Sequence, residues 1–167
     1  MIPSALLSLI DPRGLPMQDT ISFRVLGAED GEVLLRVAPD VFDNAIIPEQ
    51  ASRFLTDPRH VLAVALASDT VVGMASAVEY FHPDKPPALW VNEVGVAPPY
   101  QRRGAGRGLL EALLEVAHAR GCTVVWVGTE IDNVAARGLY EATGAAVECD
   151  QYVEYEWDLE ASSDSEA

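Results

Sequence analysis

The sequence has few basic residues for its acidic content. Of its 167 residues, 11 are Lys or Arg and 26 are Asp or Glu, which gives a formal net charge of -15 at pH 7. A protein of this charge repels the phosphates of nucleic acid and the headgroups of anionic lipid, whereas it attracts cations. We therefore expect no nucleic-acid partner and no membrane partner, and we consider a cationic small molecule as the partner.

Cysteines and long hydrophobic runs are also scarce. The two cysteines, Cys122 and Cys149, show no metal-ligand spacing and do not make a disulfide framework in a chain of this length. Residues 1–10 are apolar but lack the positively charged start of a signal peptide. No apolar run approaches the ~20 residues of a membrane span. We expect a cytoplasmic protein that uses no metal.

The hydrophobic content is high enough for a buried core, and the length predicts one globular domain. Residues 1–20 contain three prolines and no sustained periodicity, so we interpret them as an N-terminal extension. Residues 160–167 are small and acidic, which is typical of a disordered tail. The folded domain is thereby expected at residues 21–159.

Periodicity within this domain predicts an α/β fold with a mixed sheet. Strands are predicted at residues 21–26, 60–67, 70–80, 89–96, 122–128 and 146–159. Helices are predicted at residues 29–37, 48–56, 104–120 and 134–142. Residues 82–87, which contain three prolines, are predicted to be a loop. The segment 89–128 is predicted to be a strand, helix, strand crossover with the second strand parallel and buried on both faces.

Three glycines stand at the start of the predicted 104–120 helix, at positions 104, 106 and 108. The first N-H groups of a helix have no partner within the helix and can bind an anion, and a glycine lets that anion come close. Three of the 11 basic residues lie in the same stretch: Arg102, Arg103 and Arg107. This pattern favours a phosphate site, although a glycine-rich turn that only caps the helix is the alternative. The absence of Gly-Lys-Ser/Thr excludes a P-loop.

Two segments together resemble a known family. Residues 101–106, Gln-Arg-Arg-Gly-Ala-Gly, resemble the pyrophosphate loop of the GNAT superfamily of acyl-CoA-dependent N-acetyltransferases. Residues 133–140, Asn-Val-Ala-Ala-Arg-Gly-Leu-Tyr, with Gly144 after them, are similar to a second segment of that superfamily. The resemblance implies a GNAT fold, in which a mixed central sheet flanked by helices splays open between the 89–97 and 122–129 strands and holds coenzyme A in the gap.

The resemblance also implies acetyl-CoA as the co-substrate. Backbone groups of Val94, Gly95 and Val96 would bind its pantetheine arm. The remaining implied cofactor-binding residues are Gln101, Arg102, Arg103, Gly104, Ala105, Gly106, Arg107 and Asn133.

Two residues match catalytic positions of the superfamily. Glu93 would act as the base that deprotonates the acceptor ammonium, directly or through water, and Tyr140 would protonate the departing thiolate. An N-H near Val94 would stabilise the negative charge on the thioester oxygen. The alternatives from the residues alone are that Glu93 is a charged residue at a bulge and that Tyr140 is a packing aromatic. Asn133 is also predicted to cap a helix, which is compatible with a contact to the cofactor.

Acidic residues are concentrated at the end of the chain. Residues 121–167 contain 11 acidic residues and one arginine, a net charge of -10. In the implied fold this part borders the acceptor side and would attract a polyamine-like substrate. The candidate acceptor-binding residues are Glu130, Asp132, Asp150 and Glu154. A solvated acidic surface without function is the alternative.

A closer resemblance concerns residues 81–87, residues 90–96 and the upstream pair Phe42-Asp43, which resemble aminoglycoside 3-N-acetyltransferases of type I. It implies acetylation of a 3-amino group and a role in antibiotic resistance, although Glu93 stands where several resistance enzymes carry Asp. The other hypotheses are a protein N-terminal or lysine acetyltransferase and a coenzyme A-binding module without turnover. The sequence leaves open whether the chain forms a homodimer.

Overall fold

The computed structural model describes residues 20–151 and 153–155. Five strands form one sheet in chain order: β1 Ile21–Leu26, β2 His60–Ala67, β3 Thr70–His82, β4 Lys85–Val96 and β5 Val124–Val127. The α-helices are α1 Pro48–Thr56, α2 Ala105–Ala119 and α3 Val134–Ala142, and 3₁₀ helices occur at Ala28–Leu35 and Pro98–Tyr100. β1 to β4 are antiparallel neighbours and β5 is parallel to β4, which confirms the predicted mixed α/β sheet.

The described residues form two compact units that divide after Thr129. The first contains the sheet, α1 and α2, and the second contains α3. The predicted boundaries at residues 20 and 160 stay predictions, since residues 1–19 and 156–167 lie outside the described part of the chain.

Helix α2 covers one face of the sheet. Leu109, Leu113 and Ala117 recur on one side of this helix and are buried. Leu109 reaches the sheet at Gly73, where a Cβ would lie 3.3 Å from the leucine side chain. Burial of each leucine contributes about 1.5–3 kcal/mol, so this stripe accounts for the position of the helix.

The opposite face of the sheet is covered by α1 and the first 3₁₀ helix. Met74 follows Gly73 and therefore points to this face, where it packs in a cluster with Leu34, Val41 and Leu62. The segment around Val41 is thereby held against β3 and β4. This arrangement positions residues 41–43 beside the end of β4.

The pairing of β4 with β5 is short. It runs from Ala88↔Val124 to Val91↔Val127, whereas β4 continues to Val96. Residues 92–96 consequently extend past the last β5 partner, which agrees with the predicted splayed sheet.

A β-bulge lies at the same point of β4. Ser76 pairs with Glu93 and Ala77 pairs with Val91, so that Asn92 is the extra residue. A bulge bends its strand and re-aims the following side chain. Glu93 is the residue that follows.

Two predicted elements differ from the structure in detail. The predicted 29–37 helix is the 3₁₀ helix Ala28–Leu35. The predicted 82–87 loop is mostly strand, because β3 continues to His82 and β4 begins at Lys85. The prolines are tolerated there because the pairing is irregular between Tyr80 and His82.

The prediction for the 122–128 strand is partly wrong. Its parallel pairing is confirmed, but β5 has only four residues and is not buried on both faces, since Val124 is 54% and Trp126 48% exposed. An apolar run predicts burial, but whether both faces are covered depends on distant segments.

The last predicted strand, 146–159, is not formed where it is described. Residues 146–151 and 153–155 contain no strand, and the other residues of this range lie outside the described part. Alternation makes a segment suitable for a sheet, but a strand also needs a partner for its backbone N-H and C=O groups.

Candidate active site

The loop from β4 to α2 ends in a left-handed glycine. Gly104 has φ 86° and is the N-cap of α2, and a Cβ built on it would meet no heavy atom within 4 Å. The space beside the Cα of Gly104 is therefore open, and this glycine lines a cavity at the start of α2. The first N-H groups of α2 lack helical partners and lie at the positive end of the helix dipole, so the loop fits a phosphate group.

Gln101 ties this loop to β4. Its Nε2 donates to the carbonyl oxygen of Val96 at 3.0 Å. The bond fixes the start of the loop relative to the end of the strand. The structure thus gives Gln101 a positioning contact within the protein.

The three arginines lie around an open cavity of about 570 Å³ at the start of α2. The Arg103 guanidinium is 5.0 Å from the centre of the Tyr100 ring, and Nε of Arg107 lies 2.8 Å from Oε1 of Glu111. Arg102 is exposed and has φ 58°. The predicted concentration of positive charge at this helix start is therefore present in three dimensions.

The structure gives a reason for the glycine at position 108 that the sequence did not indicate. A Cβ at this position would lie 2.2 Å from the ring of Phe23. The glycine accommodates an aromatic side chain from β1, and it also lines the cavity that the arginines surround.

The backbone of β4 presents alternate residues to the two sides. The N-H of Ala97 donates to the carbonyl of Val72 on β3 at 2.9 Å. Because successive residues of a strand direct their backbone groups to opposite sides, Val96 and Val94 point away from β3. Their N-H and C=O groups thus lie on the side of β4 where pairing with β5 has already ended at Val91. This position suits the predicted contacts with an extended pantetheine arm.

Gly95 is the close-approach point between β4 and the 41–43 segment. A Cβ on Gly95 would lie 2.1 Å from the backbone oxygen of Val41. We expect Gly95→Ala to lower the free energy of unfolding by about 1–3 kcal/mol, since backbone must move to relieve the overlap. Urea unfolding measures the loss, and Gly31→Ala is the control because its Cβ would meet nothing within 4 Å. Equal stabilities of the two variants would contradict this packing.

Glu93 is partly buried on the face that also carries Met74. Burial raises the pKa of its carboxyl above the ordinary value, and the negative charge of Asp43 raises it further. A carboxylate with a raised pKa is a better proton acceptor near neutral pH. Only the family resemblance drew attention to Asp43, since 50 positions separate it from Glu93 in the sequence.

In the second unit, Asn133 caps α3. Its Oδ1 accepts from the N-H of Ala136 at 3.1 Å, which confirms the predicted helix cap. Tyr140 lies on the same helix and is half-buried. Burial raises the pKa of the Tyr140 hydroxyl and the charge of Glu130 raises it further, so this group is protonated at neutral pH and able to donate a proton.

The candidate acceptor-binding acids all belong to the second unit and are exposed: Glu130, Asp132, Asp150 and Glu154. Across residues 20–151 and 153–155, no group of three His, Cys, Asp or Glu side chains is arranged to hold a metal ion. Within the same residues, no helix is long and apolar enough to cross a membrane.

The sheet parts beside a bulged strand and a helix start follows at its end, which agrees with the GNAT fold. Residues 31–145 match the Acetyltransferase (GNAT) family, and the chain belongs to this family.

Two of the sequence relatives are named as N-acetyltransferases. The chain is 43% identical over 51 residues to the [ribosomal protein bS18]-alanine N-acetyltransferase of Escherichia coli K12, which covers 30% of this chain and 34% of that protein. It is 35% identical over 104 residues to the N-alpha-acetyltransferase RimI of Mycobacterium tuberculosis, which covers 62% and 63%. The chain thus matches about a third and somewhat under two thirds of the lengths of these relatives.

Solved structures with the same fold include enzymes for other acceptors. An aminoglycoside acetyltransferase, meta-AAC0020, from an uncultured soil metagenomic sample has a TM-score of 0.74 at 20% identity and covers 83% of this chain and 96% of its own. The ribosomal-protein-alanine N-acetyltransferase of Brucella melitensis has a TM-score of 0.62 at 18% identity, with 83% and 100% covered. At these identities the likeness shows the fold alone.

Proposed function

We propose that this protein transfers the acetyl group of acetyl-CoA to a primary amine of a polycationic small molecule, by direct attack in a ternary complex. The acceptor class that we propose is an aminoglycoside, acetylated at its 3-amino group. The observation that carries the proposal is the partly buried carboxyl of Glu93 beside Asp43, at the point where β4 runs past β5.

Acetyl-CoA supplies the thioester that the amine attacks. The protein would hold it through the outward backbone groups of Val94 and Val96 and through the first N-H groups of α2. The glycine at 104 keeps these N-H groups accessible, and the surrounding arginines neutralise phosphate charge.

Glu93 removes the proton from the acceptor ammonium, directly or through water. Its raised pKa makes it a stronger base than an exposed glutamate. Tyr140, whose raised pKa keeps its hydroxyl protonated, gives a proton to the departing thiolate.

Acidic groups favour a cationic acceptor. Glu93 and Asp43 place two carboxyls close enough for one to raise the pKa of the other, and an ammonium between them relieves this repulsion. The net charge of -10 in residues 121–167 also favours a cationic acceptor. A fold shared with an aminoglycoside acetyltransferase crystallised with sisomicin supports the choice of acceptor.

A protein N-terminal amine is the second candidate acceptor. The relatives named as alanine and N-alpha acetyltransferases favour it, because their identity of 35–43% exceeds that of the solved structures. Thiol release from acetyl-CoA, measured with aminoglycosides, linear polyamines and peptides with a free N-terminus, separates the two. The highest kcat/KM with a peptide would support this second function.

Charge reversal tests the acidic residues of the second unit. We expect Glu154→Lys to raise the KM of a polycationic acceptor several-fold at low salt and to spare the KM of acetyl-CoA. The effect should shrink as salt is added, since the Debye length falls to about 8 Å at physiological ionic strength. Glu32→Lys is the control, because it changes the same charge on an exposed residue of the first unit. Equal KM values in the two variants would assign Glu154 to the solvated surface.

A further inference from the structure

Two exposed tryptophans form a stacked pair on the sheet. Trp90 of β4 and Trp126 of β5 are register partners, with ring centres 5.1 Å apart and an angle of 6° between the rings. They are 39% and 48% exposed. Large aromatic side chains exposed together are typical of surfaces that bind a partner.

The pair lies next to Glu93 on the same face. Glu93 pairs with Ser76 and Trp90 pairs with Val78, and these β3 residues are two positions apart. Side chains at this spacing share a face and are separated by about 7 Å along the strand. The stacked pair and the catalytic carboxyl thus form one continuous surface.

The pair also lies at the base of the opening in the sheet. The last β4–β5 register, Val91↔Val127, follows Trp90↔Trp126 by one residue. A molecule whose amine reaches Glu93 at this opening therefore has the tryptophans beside it.

The chemistry of this surface combines an apolar aromatic part with an anionic part. Tryptophan rings attract cations and contact the C-H groups of saturated rings. Glu93 and Asp43 attract ammonium groups. A molecule that carries amines on a compact ring system matches both parts, whereas a flexible linear polyamine matches mainly the charge.

We propose that Trp90 and Trp126 are specificity-determining residues that select a ring-bearing polycation over a linear polyamine of similar charge. The inference rests on the proposed function and adds the shape of its acceptor. The ring system contacts the tryptophan pair while one amine reaches Glu93.

Kinetics with two acceptors test the inference. For sisomicin, Trp126→Leu and Trp90→Leu should raise KM by about tenfold, which corresponds to about 1.4 kcal/mol of lost contact. For spermine and for acetyl-CoA, KM should stay within about twofold, a change of less than 0.5 kcal/mol. Trp126→Phe should restore most of the sisomicin affinity, because it keeps an aromatic ring.

Val124→Ala is the matched control, since Val124 is exposed on the same face of β5 two residues farther from Glu93. It should leave all three KM values unchanged. The inference is overturned if the folded tryptophan variants show equal increases of KM for sisomicin and spermine, or no increase for either. If the parent enzyme acetylates no small polyamine at all, the proposed function is wrong. This outcome differs from a failure of the tryptophan inference alone, in which the parent enzyme is active.

A binding measurement provides a readout without turnover. In the Trp157→Phe variant, only Trp90 and Trp126 contribute indole fluorescence, because the chain has three tryptophans. Sisomicin should change this emission in the presence of coenzyme A at concentrations near its KM, and spermine should change it much less. Equal responses would overturn the inference.

Sedimentation should show the same oligomeric state for Trp126→Leu and the parent. A dimer that is lost in the variant would assign the tryptophan pair to an interface between copies of the chain instead.

Discussion

Glu93→Gln is expected to lower kcat at neutral pH by about 10²-fold or more, because the variant keeps the shape of the side chain but loses the proton acceptor. The Kd of acetyl-CoA should not change. Stopped-flow or steady-state thiol release, together with calorimetric binding of coenzyme A, measures both quantities. Glu49→Gln is the control, since it neutralises an exposed glutamate of α1.

The pH profile identifies the group more specifically. Glu93 acts as a base only when ionised, and its pKa is raised, so kcat/KM should rise with pH through a value above that of an ordinary glutamate. Asp43→Asn removes one of the two causes of the raised pKa of Glu93, the nearby negative charge. The rise of kcat/KM with pH, the acid limb of the profile, should therefore move to lower pH. Glu93→Gln should abolish the limb and regain part of its rate at high pH, where free amine is abundant. Full activity of Glu93→Gln at neutral pH would assign the base to another residue.

Gly104→Val is expected to weaken acetyl-CoA binding by at least tenfold, since its side chain would stand in front of the first N-H groups of α2. A Cβ on Gly104 would meet no heavy atom within 4 Å, so the valine side chain would project into the open space at the helix start. Titration calorimetry with acetyl-CoA and with pantetheine, which carries no phosphate, should show that the loss of affinity requires the phosphates.

Backbone strain complicates this variant, because valine at a positive φ costs about 1–2 kcal/mol. Gly121→Val is the matched control: Gly121 follows the other end of α2, has φ 72° and is equally open. Both variants should lose similar stability in urea, but only Gly104→Val should lose acetyl-CoA affinity. If the two variants bind acetyl-CoA with similar affinity, this loop does not bind the pyrophosphate.

Elements with strong local signals were predicted well. The bounds of β1, β2, α1 and α3 agree with the sequence prediction. Pro48 in the first turn of α1 and the Asn133 cap of α3 mark these starts, and Gly144 with φ 95° follows the end of α3. Such signals act within a few residues, so the sequence alone carries them.

Elements that depend on distant partners were predicted less well. Residues 82–87 were predicted to be a loop from their prolines, but the antiparallel register of β3 and β4 extends the strands on both sides of a short turn. The alternation in 146–159 predicts a strand, but residues 146–151 and 153–155 form none. Pairing is a property of two segments, and one segment indicates only its suitability.

The sequence by itself determined the family, and it indicated the candidate phosphate loop and Glu93 as the candidate base, because each depends on residues that are near one another in the chain. The tertiary structure alone decided that Asp43 raises the pKa of Glu93, that Gly95 accommodates Val41 and that Trp90 stacks on Trp126. These pairs are separated by 36 to 54 positions in the chain. Burial and contact between such residues depend on how the strands and the 41–43 segment pack, and local periodicity does not encode that packing.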